Sequence, residues 1–263
     1  MAVDLRLYAL VDPAVAGGRT LVDLARRLTA SATLVQLRDK HGSTRAMVGE
    51  ARELREVLEP EGIPLLVNDR VDVALAAEAD GVHIGQDDMA VPDARLLLGH
   101  SAIIGLSVKT VEQAKAAPLE LLDYVAIGGV YGTTSKENTK APIGTDGLRT
   151  IVDAVRTRKA NFPICAIAGI NATNAADVIA AGADGVAVIS TLSLAPDPAK
   201  AAPALRAGGA GALARRGGGV ARHAAPLPGP QFGGRAAAHR VLHSLCRRGA
   251  AGHAPCPAAP RPC

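Results

Sequence analysis

Two cations and an amide stand on alternate residues in Gln36-Leu37-Arg38-Asp39-Lys40. In an extended strand that spacing points all three to one side. An Arg fork and a Lys point charge beside an amide suit a phosphate group joined to a polar heterocycle. Carboxylates follow in Asn68-Asp69-Arg70 and His83-Ile84-Gly85-Gln86-Asp87-Asp88. Asp69 with Asp87 or Asp88 could share a hard divalent cation, because Mg²⁺ is commonly held by one or two carboxylates and completes its shell with water and substrate phosphate. His83 lies mid-strand and reads as a packed, hydrogen-bonded core residue rather than a catalyst. A third group is Gly128-Gly129-Val130-Tyr131-Gly132-Thr133-Thr134-Ser135-Lys136. Its glycines let backbone approach an anion, and its hydroxyls and Lys136 can donate to one, without the spacing of a Walker loop. Each group also has a plainer reading: ordinary surface cations, helix capping by Asp69 with a solvated loop at Asp88, and a flexible surface loop.

What could bring such groups together is a repeated unit. Short β-branched runs alternate with longer Ala/Leu-rich segments, the pattern of βα units on a parallel sheet. Strands are expected at Leu5 to Val11, Thr33 to Arg38, Pro64 to Asn68, Gly81 to Gly85, Ile103 to Ser107, Tyr124 to Gly128, Ile164 to Ala168 and Gly185 to Ser190. Helices are expected at Leu21 to Leu28, Thr44 to Leu58, Val71 to Ala79, Val91 to Leu98, Thr110 to Ala116, Gly147 to Arg158, Asn174 to Ala181 and Pro198 to Leu205. Asp69 or Asp72 is placed to cap the third helix, Thr110 with Gln113 resembles a capping box, and Thr173 precedes the seventh helix. Strands that are apolar along their length and polar at their C-terminal ends fit a parallel (β/α)₈ TIM barrel whose site opens at that end. A doubly wound open sheet uses the same units with a different closure. In a barrel the loops after strands seven and eight, Ala168-Gly169-Ile170-Asn171 and Ile189-Ser190, would offer a second phosphate pocket of backbone N–H groups.

Composition narrows the function classes. The 263-residue chain has no Trp, two Phe and three Tyr, so recognition by aromatic stacking is excluded as a main mode. Its net charge of +4 is a property of the C-terminal segment: eight of the 29 basic side chains lie in 208–263, which has no acidic residue, leaving 21 against 25 acidic in residues 1–207. Three of the four cysteines (Cys246, Cys256, Cys263) also lie there, and Cys165 alone lies in the body, a usage that suits a reducing cytosol. No uninterrupted apolar run is long enough for a membrane span, and residues 1–10 lack a signal-peptide pattern. Two parts are expected: a barrel over residues 1–207, and a Gly/Ala/Arg/Pro-rich segment over 208–263 that does not fold. The latter has the composition of a GC-rich frame read out of register. A basic arm for nucleic acid is the functional alternative for it, poorly supported without Lys or interleaved aromatics; no nucleic-acid or membrane partner is expected.

Taken together, the motifs at residues 36–40, 68–70, 81–88, 105–107, 133–136 and 188–190 resemble the thiamin phosphate synthase family. The resemblance spans residues 5 to about 205. It implies a Mg²⁺-dependent transferase that joins hydroxymethylpyrimidine diphosphate to hydroxyethylthiazole phosphate and releases pyrophosphate. Carried over residue by residue, Gln36, Arg38, Lys40, Asn68, Ser107 and Lys136 would bind the pyrimidine diphosphate, with Arg38, Lys40, Lys136 and Ser107 the catalytic contacts. Asp69 and Asp88 would hold Mg²⁺, and Thr133, Ser135, Gly169, Ile189 and Ser190 would bind the thiazole phosphate. The chain departs from the family's usual pattern at three places: Gly128-Gly129 where Gly-Pro is common, Gly132 where proline is common, and Ala168-Gly169 where paired glycines are common. Two rivals remain. A thiazole tautomerase on the same barrel would not need the carboxylates or the full strand-two triplet, and a non-catalytic binding protein would form no product. A closed symmetric homo-oligomer is compatible with any of these.

Overall fold

The computed structural model describes residues 3–133 and 141–213. Of the two units into which the chain divides, Met1–Val220 and Ala221–Cys263, these residues belong to the first. Eight parallel strands close a barrel in chain order: β1 (Leu7–Val11), β2 (Leu34–Leu37), β3 (Leu65–Asn68), β4 (Gly81–Ile84), β5 (Ile103–Val108), β6 (Tyr124–Ile127), β7 (Ile164–Ile167) and β8 (Gly185–Val188). The helices are α1 (Leu21–Leu28), α2 (Thr44–Leu58), α3 (Val71–Ala77), α4 (Val91–Leu98), α5 (Val111–Ala116), α6 (Gly144–Arg158), α7 (Ala175–Ala180), α8 (Ser190–Ser193) and α9 (Pro198–Leu213). The expected closed barrel is therefore the observed fold. The open sheet is excluded by the pairing of β8 with β1, Leu7 opposite Val186.

Strand alternation sorts the core into two shells. Leu5, Tyr8, Leu10, Leu34, Leu66, Tyr124, Ala126, Cys165 and Ala187 form the barrel's interior cluster. The intervening residues, such as Leu7, Val35, Val67 and Val125, pack outward with the apolar helix faces. Continuing the interior series toward the C-terminal mouth gives Gln36, Asn68, His83, Ser107 and Ile189, so the alternation that fills the barrel also presents its polar groups.

At the opposite end one device recurs. Asp80, Asp123 and Asp184 each stand just before a strand, and their carboxylates accept hydrogen bonds from the backbone N–H of Leu65 (2.8 Å), Ile104 (2.8 Å) and Ile164 (2.9 Å). Each ties the start of one strand to the start of the next and so pins register. Arg95 and Arg156 brace two of them, at 2.8 Å from Asp123 and Asp184.

Several local expectations change. The strand expected to end at Ser190 stops at Val188, where pairing with β1 ends, and Ser190 opens the short α8 instead. Neither Asp69 nor Asp72 caps α3: its N-cap is Arg70, Asp72 is taken by the Arg70 guanidinium, and Asp69 turns into the barrel mouth with φ 60°. The Thr110 capping box forms in part, Thr110 Oγ1 accepting from Gln113 N and Gln113 Oε1 accepting from Lys109 N, one residue before the cap. Helix α9 runs to Leu213, past residue 207 where the composition changes.

Candidate active site

The mouth is built outward from β1 and β2. Arg38 follows the last residue of β2, and its guanidinium pairs with the carboxylate of Asp12, which follows the last residue of β1. Sequence reasoning missed Asp12; its signal was an acidic residue at a strand end, next to Pro13. Asp39 shapes the following turn, its carboxylate accepting from the backbone N–H of His41 (2.9 Å) and Gly42 (2.8 Å). That turn carries Lys40 to the end of β3, where its ammonium pairs with Asp69. The alternation expected of Gln36, Arg38 and Lys40 runs past the end of β2 at Leu37: Arg38 N still donates to Val11 O (2.9 Å), and the turn at Asp39 sets Lys40.

Gln36 is 1% exposed, and its amide nitrogen has no hydrogen-bond partner among the described residues. A buried donor left open costs about 1–3 kcal/mol, so a donor aimed at the mouth is poised for an acceptor from outside the chain.

Asn68 donates to the Asp69 carboxylate (2.7 Å). Asp69 adopts its left-handed backbone while its N–H is held by the carbonyl of His83 (2.8 Å). Asp88 accepts from Gly85 N (2.7 Å) and its carboxylate meets that of Asp69. Partial burial and the facing Asp69 carboxylate push the Asp88 carboxyl above the usual range, against the opposing pull of the Gly85 N–H and Lys40. Two abutting carboxylates repel unless a proton or a cation lies between them. Of the two candidates in the sequence, Asp88 rather than Asp87 makes this contact.

Ser107 stands inside β5, its hydroxyl 2.8 Å from His83 Nε2, and its carbonyl accepts from Gln86 Nε2 at 2.7 Å. His83 is buried and bonded at both ring nitrogens, as its mid-strand position implied.

The far side of the mouth comes from β6 to β8. Tyr131 N donates to Ala168 O (3.1 Å), bringing the loop after β6 onto the end of β7. A Cβ at Gly169 would lie 2.3 Å from Gly132 O and 2.7 Å from Tyr131 Cβ, so only glycine fits there. Asn174 Nδ2 donates to Gly169 O (3.0 Å) and Thr191 Oγ1 to Ile170 O (2.7 Å), which joins the β7 loop to α8. Gly169, Ile189 and Ser190 therefore stand on neighbouring strand ends, with Thr133 on the adjoining β6 loop. Ser135 and Lys136 lie outside the described residues.

Known proteins match the chain over the span of this closed parallel barrel. A family model described as thiamine monophosphate synthase matches residues 7–192. The chain belongs to the thiamine monophosphate synthase family. Thiamine-phosphate synthases of Chloroflexus aurantiacus and Agrobacterium fabrum are similar to it at 48% and 49% identity, covering 78% and 76% of this chain and 93% and 91% of theirs. The solved structure of thiamine phosphate pyrophosphorylase from Pyrococcus furiosus superposes with TM-score 0.69 at 36% identity, over 80% of this chain and 98% of that one. This family member is accordingly an enzyme of thiamin biosynthesis. Among the described residues no helix is long and apolar enough to cross a membrane. One departure from the family pattern carries visible strain: Ala168, where glycine is common, sits at φ 96°.

Proposed function

We propose that the barrel mouth joins hydroxymethylpyrimidine diphosphate to hydroxyethylthiazole phosphate, releasing diphosphate and forming thiamin phosphate. The observation that carries this reading is the cluster at the ends of β2, β3 and β4, where Lys40, Asn68 and Asp88 each touch Asp69. A site for a neutral or singly charged ligand has no use for two abutting carboxylates. A diphosphate that arrives with a divalent cation does.

The donor set fits Mg²⁺ on that ground. No group of three or more His, Cys, Asp or Glu side chains stands together among the described residues, and two carboxylates completed by water and phosphate oxygens are the usual complement for this ion. Asp69 and Asp88 would hold it, and when bound it supplies positive charge to the diphosphate oxygens.

The protein's own groups do the rest. Arg38, kept in place by Asp12, and Lys40 donate to the diphosphate as negative charge collects on it; the resemblance adds Lys136, which lies outside the described residues. Gln36 and Asn68 hold the polar edge of the pyrimidine, and Ser107 contacts the same substrate from β5. As the bond from methylene to diphosphate oxygen breaks, its electron pair leaves with the diphosphate, and the electron-rich aminopyrimidine supports the methylene cation. The thiazole nitrogen then forms the new bond. Thr133, Gly169, Ile189 and Ser190 fix the thiazole phosphate on the opposite side, with Ser135, outside the described residues, added by the resemblance, so orientation supplies much of the rate. No protein nucleophile or general base is needed. Cys165, a buried free thiol, is in keeping with action in a reducing cytosol.

The test is diphosphate release together with thiamin phosphate formation from the two substrates, with and without Mg²⁺. Product that disappears when Mg²⁺ is omitted or Asp88 is replaced by Ala supports the assignment. A folded chain that binds thiazole phosphate but forms no product refutes it in favour of a tautomerase or a binding protein.

A further inference from the structure

A continuous polar line runs through the barrel interior among the described residues. Tyr8 and Tyr124 place their hydroxyls 3.0 Å apart, Tyr124 Oη lies 2.9 Å from His83 Nδ1, and His83 Nε2 lies 2.8 Å from Ser107 Oγ. The line therefore begins in the sealed interior and ends at the mouth. Room for it is made at Gly105, where a Cβ would fall 2.1 Å from Tyr124 Cζ and 2.4 Å from its hydroxyl. The rings support one another as well, His83 stacked on Tyr124 at 5.6 Å and Tyr8 edge-on to Tyr124 at 5.9 Å.

The hydrogens along this line can be ordered by elimination. Tyr8 is 1% exposed, and the Tyr124 hydroxyl is its hydrogen-bond partner among the described residues. Burial pushes both phenols well above the usual tyrosine range, so each keeps its hydrogen. A buried O–H without an acceptor is more costly than an acceptor lone pair left unused. Tyr8 must then donate to Tyr124, and the hydrogen of Tyr124 passes to His83 Nδ1. That leaves the ring hydrogen of His83 on Nε2, from which it donates to Ser107 Oγ.

We infer that Tyr8, Tyr124 and His83 are positioning residues that hold Ser107 as a hydrogen-bond donor facing the substrate. With one lone pair of Ser107 occupied by His83, its own hydrogen is directed into the mouth. The ligand chemistry it fits is an anionic oxygen, which the diphosphate supplies and a ring amine does not. The inference rests on the proposed function for the identity of that anion, and on the barrel interior alone for the order of the hydrogens.

Two measurements test it. NMR of the wild-type chain labelled at histidine ring nitrogen, with the His83→Gln variant used to assign the signal, should show His83 neutral and protonated at Nε2. Protonation at Nδ1, or at both nitrogens, overturns the ordering. In kinetics, His83→Leu should lower kcat about tenfold to a hundredfold. His83→Gln, whose amide can accept from Tyr124 and donate to Ser107, should recover most of it. Combining His83→Leu with Ser107→Ala should cost no more than Ser107→Ala alone. Losses that multiply, or a Gln variant as slow as the Leu variant, would show that His83 acts only as packing. If the wild-type chain forms no thiamin phosphate, the proposed function fails, while the NMR result still decides the order of the hydrogens.

Discussion

The guanidinium of Arg38 is paired with the carboxylate of Asp12 across the ends of β2 and β1, with side-chain exposures of 14% and 3%. The other oxygen of Asp12 accepts from Ala14 N (2.9 Å), so the anchor is itself anchored. An arginine fixed in this way would meet the proposed diphosphate without first losing rotamer freedom, a loss that weakens binding.

Asp12→Asn keeps the group that caps Ala14 and removes the charge. Breaking a largely buried pair from one side costs roughly 2–4 kcal/mol, with the Arg end reaching the mouth. The expected outcome is a lower melting temperature and about a tenfold higher KM for the pyrimidine diphosphate, with KM for the thiazole phosphate unchanged. Equal changes in both KM values would mean that Asp12 supports the fold and not the Arg38 contact.

Much of this was legible in the sequence because period and chemistry agreed. Gln36, Asn68 and Ser107 fall on the interior series of their strands, so alternation alone aims them into the barrel. Legibility failed where strands end. Lys40 and Asp69 meet only because the Asp39 turn and the left-handed backbone of Asp69 bring them together, and neither follows from a two-residue period. Asp69 also carried a competing signal, since an acidic residue before a helix normally reads as a cap. Asp12, marked only as an acidic residue at a strand end, and Tyr8 were missed for a different reason: their meaning lies in Arg38 and Tyr124, which the chain brings beside them only when the barrel closes.

The carboxylate pair makes a prediction about pH. Asp88 has its carboxyl pushed up by partial burial and by Asp69. A raised acid binds its proton more tightly in the folded chain, so metal-free stability falls as pH rises from the unfolded carboxylate range through the raised value. Asp88→Asn should then raise the melting temperature of the metal-free chain at neutral pH, and the gain should vanish below about pH 4, where the unfolded carboxylate is protonated too. The same variant should lose Mg²⁺-dependent product formation. Melting curves across pH that fail to converge at the acid end would dissociate the gain from this carboxylate.

Ala168 makes a prediction of the opposite kind, a substitution that should help. At φ 96° an alanine is strained by about 1–3 kcal/mol, and the entropy that glycine loses on folding returns only about 0.5–1 kcal/mol of the relief. Ala168→Gly should therefore stabilise the chain by about 1 kcal/mol. Because the change lies beside Gly169, KM for the thiazole phosphate should fall while KM for the pyrimidine diphosphate holds. Denaturant titration and two-substrate kinetics would show both, and a destabilised variant would contradict the strain argument.

The last prediction concerns where the functional chain can stop. Ala202 and Leu205 on α9 are fully buried, and Arg206 reaches across to the carbonyl of Ser31 (3.3 Å), so α9 completes the outer shell beside α1. Nothing in the candidate site lies beyond Ser190. A chain ending at Leu213 should form thiamin phosphate at the full-length rate and melt within a few degrees of it, whereas one ending at Asp197 exposes the faces that Ala202 and Leu205 cover and should lose cooperative melting. Removing residues 214–263 also removes eight arginines and no acidic group, which lowers the net charge from +4 to −4. If that segment were a nucleic-acid arm, the full chain would bind polyanions in a salt-dependent manner and the shortened chain would not. Equal, weak retention of both on heparin, with equal turnover, would identify residues 214–263 as dispensable to the enzyme.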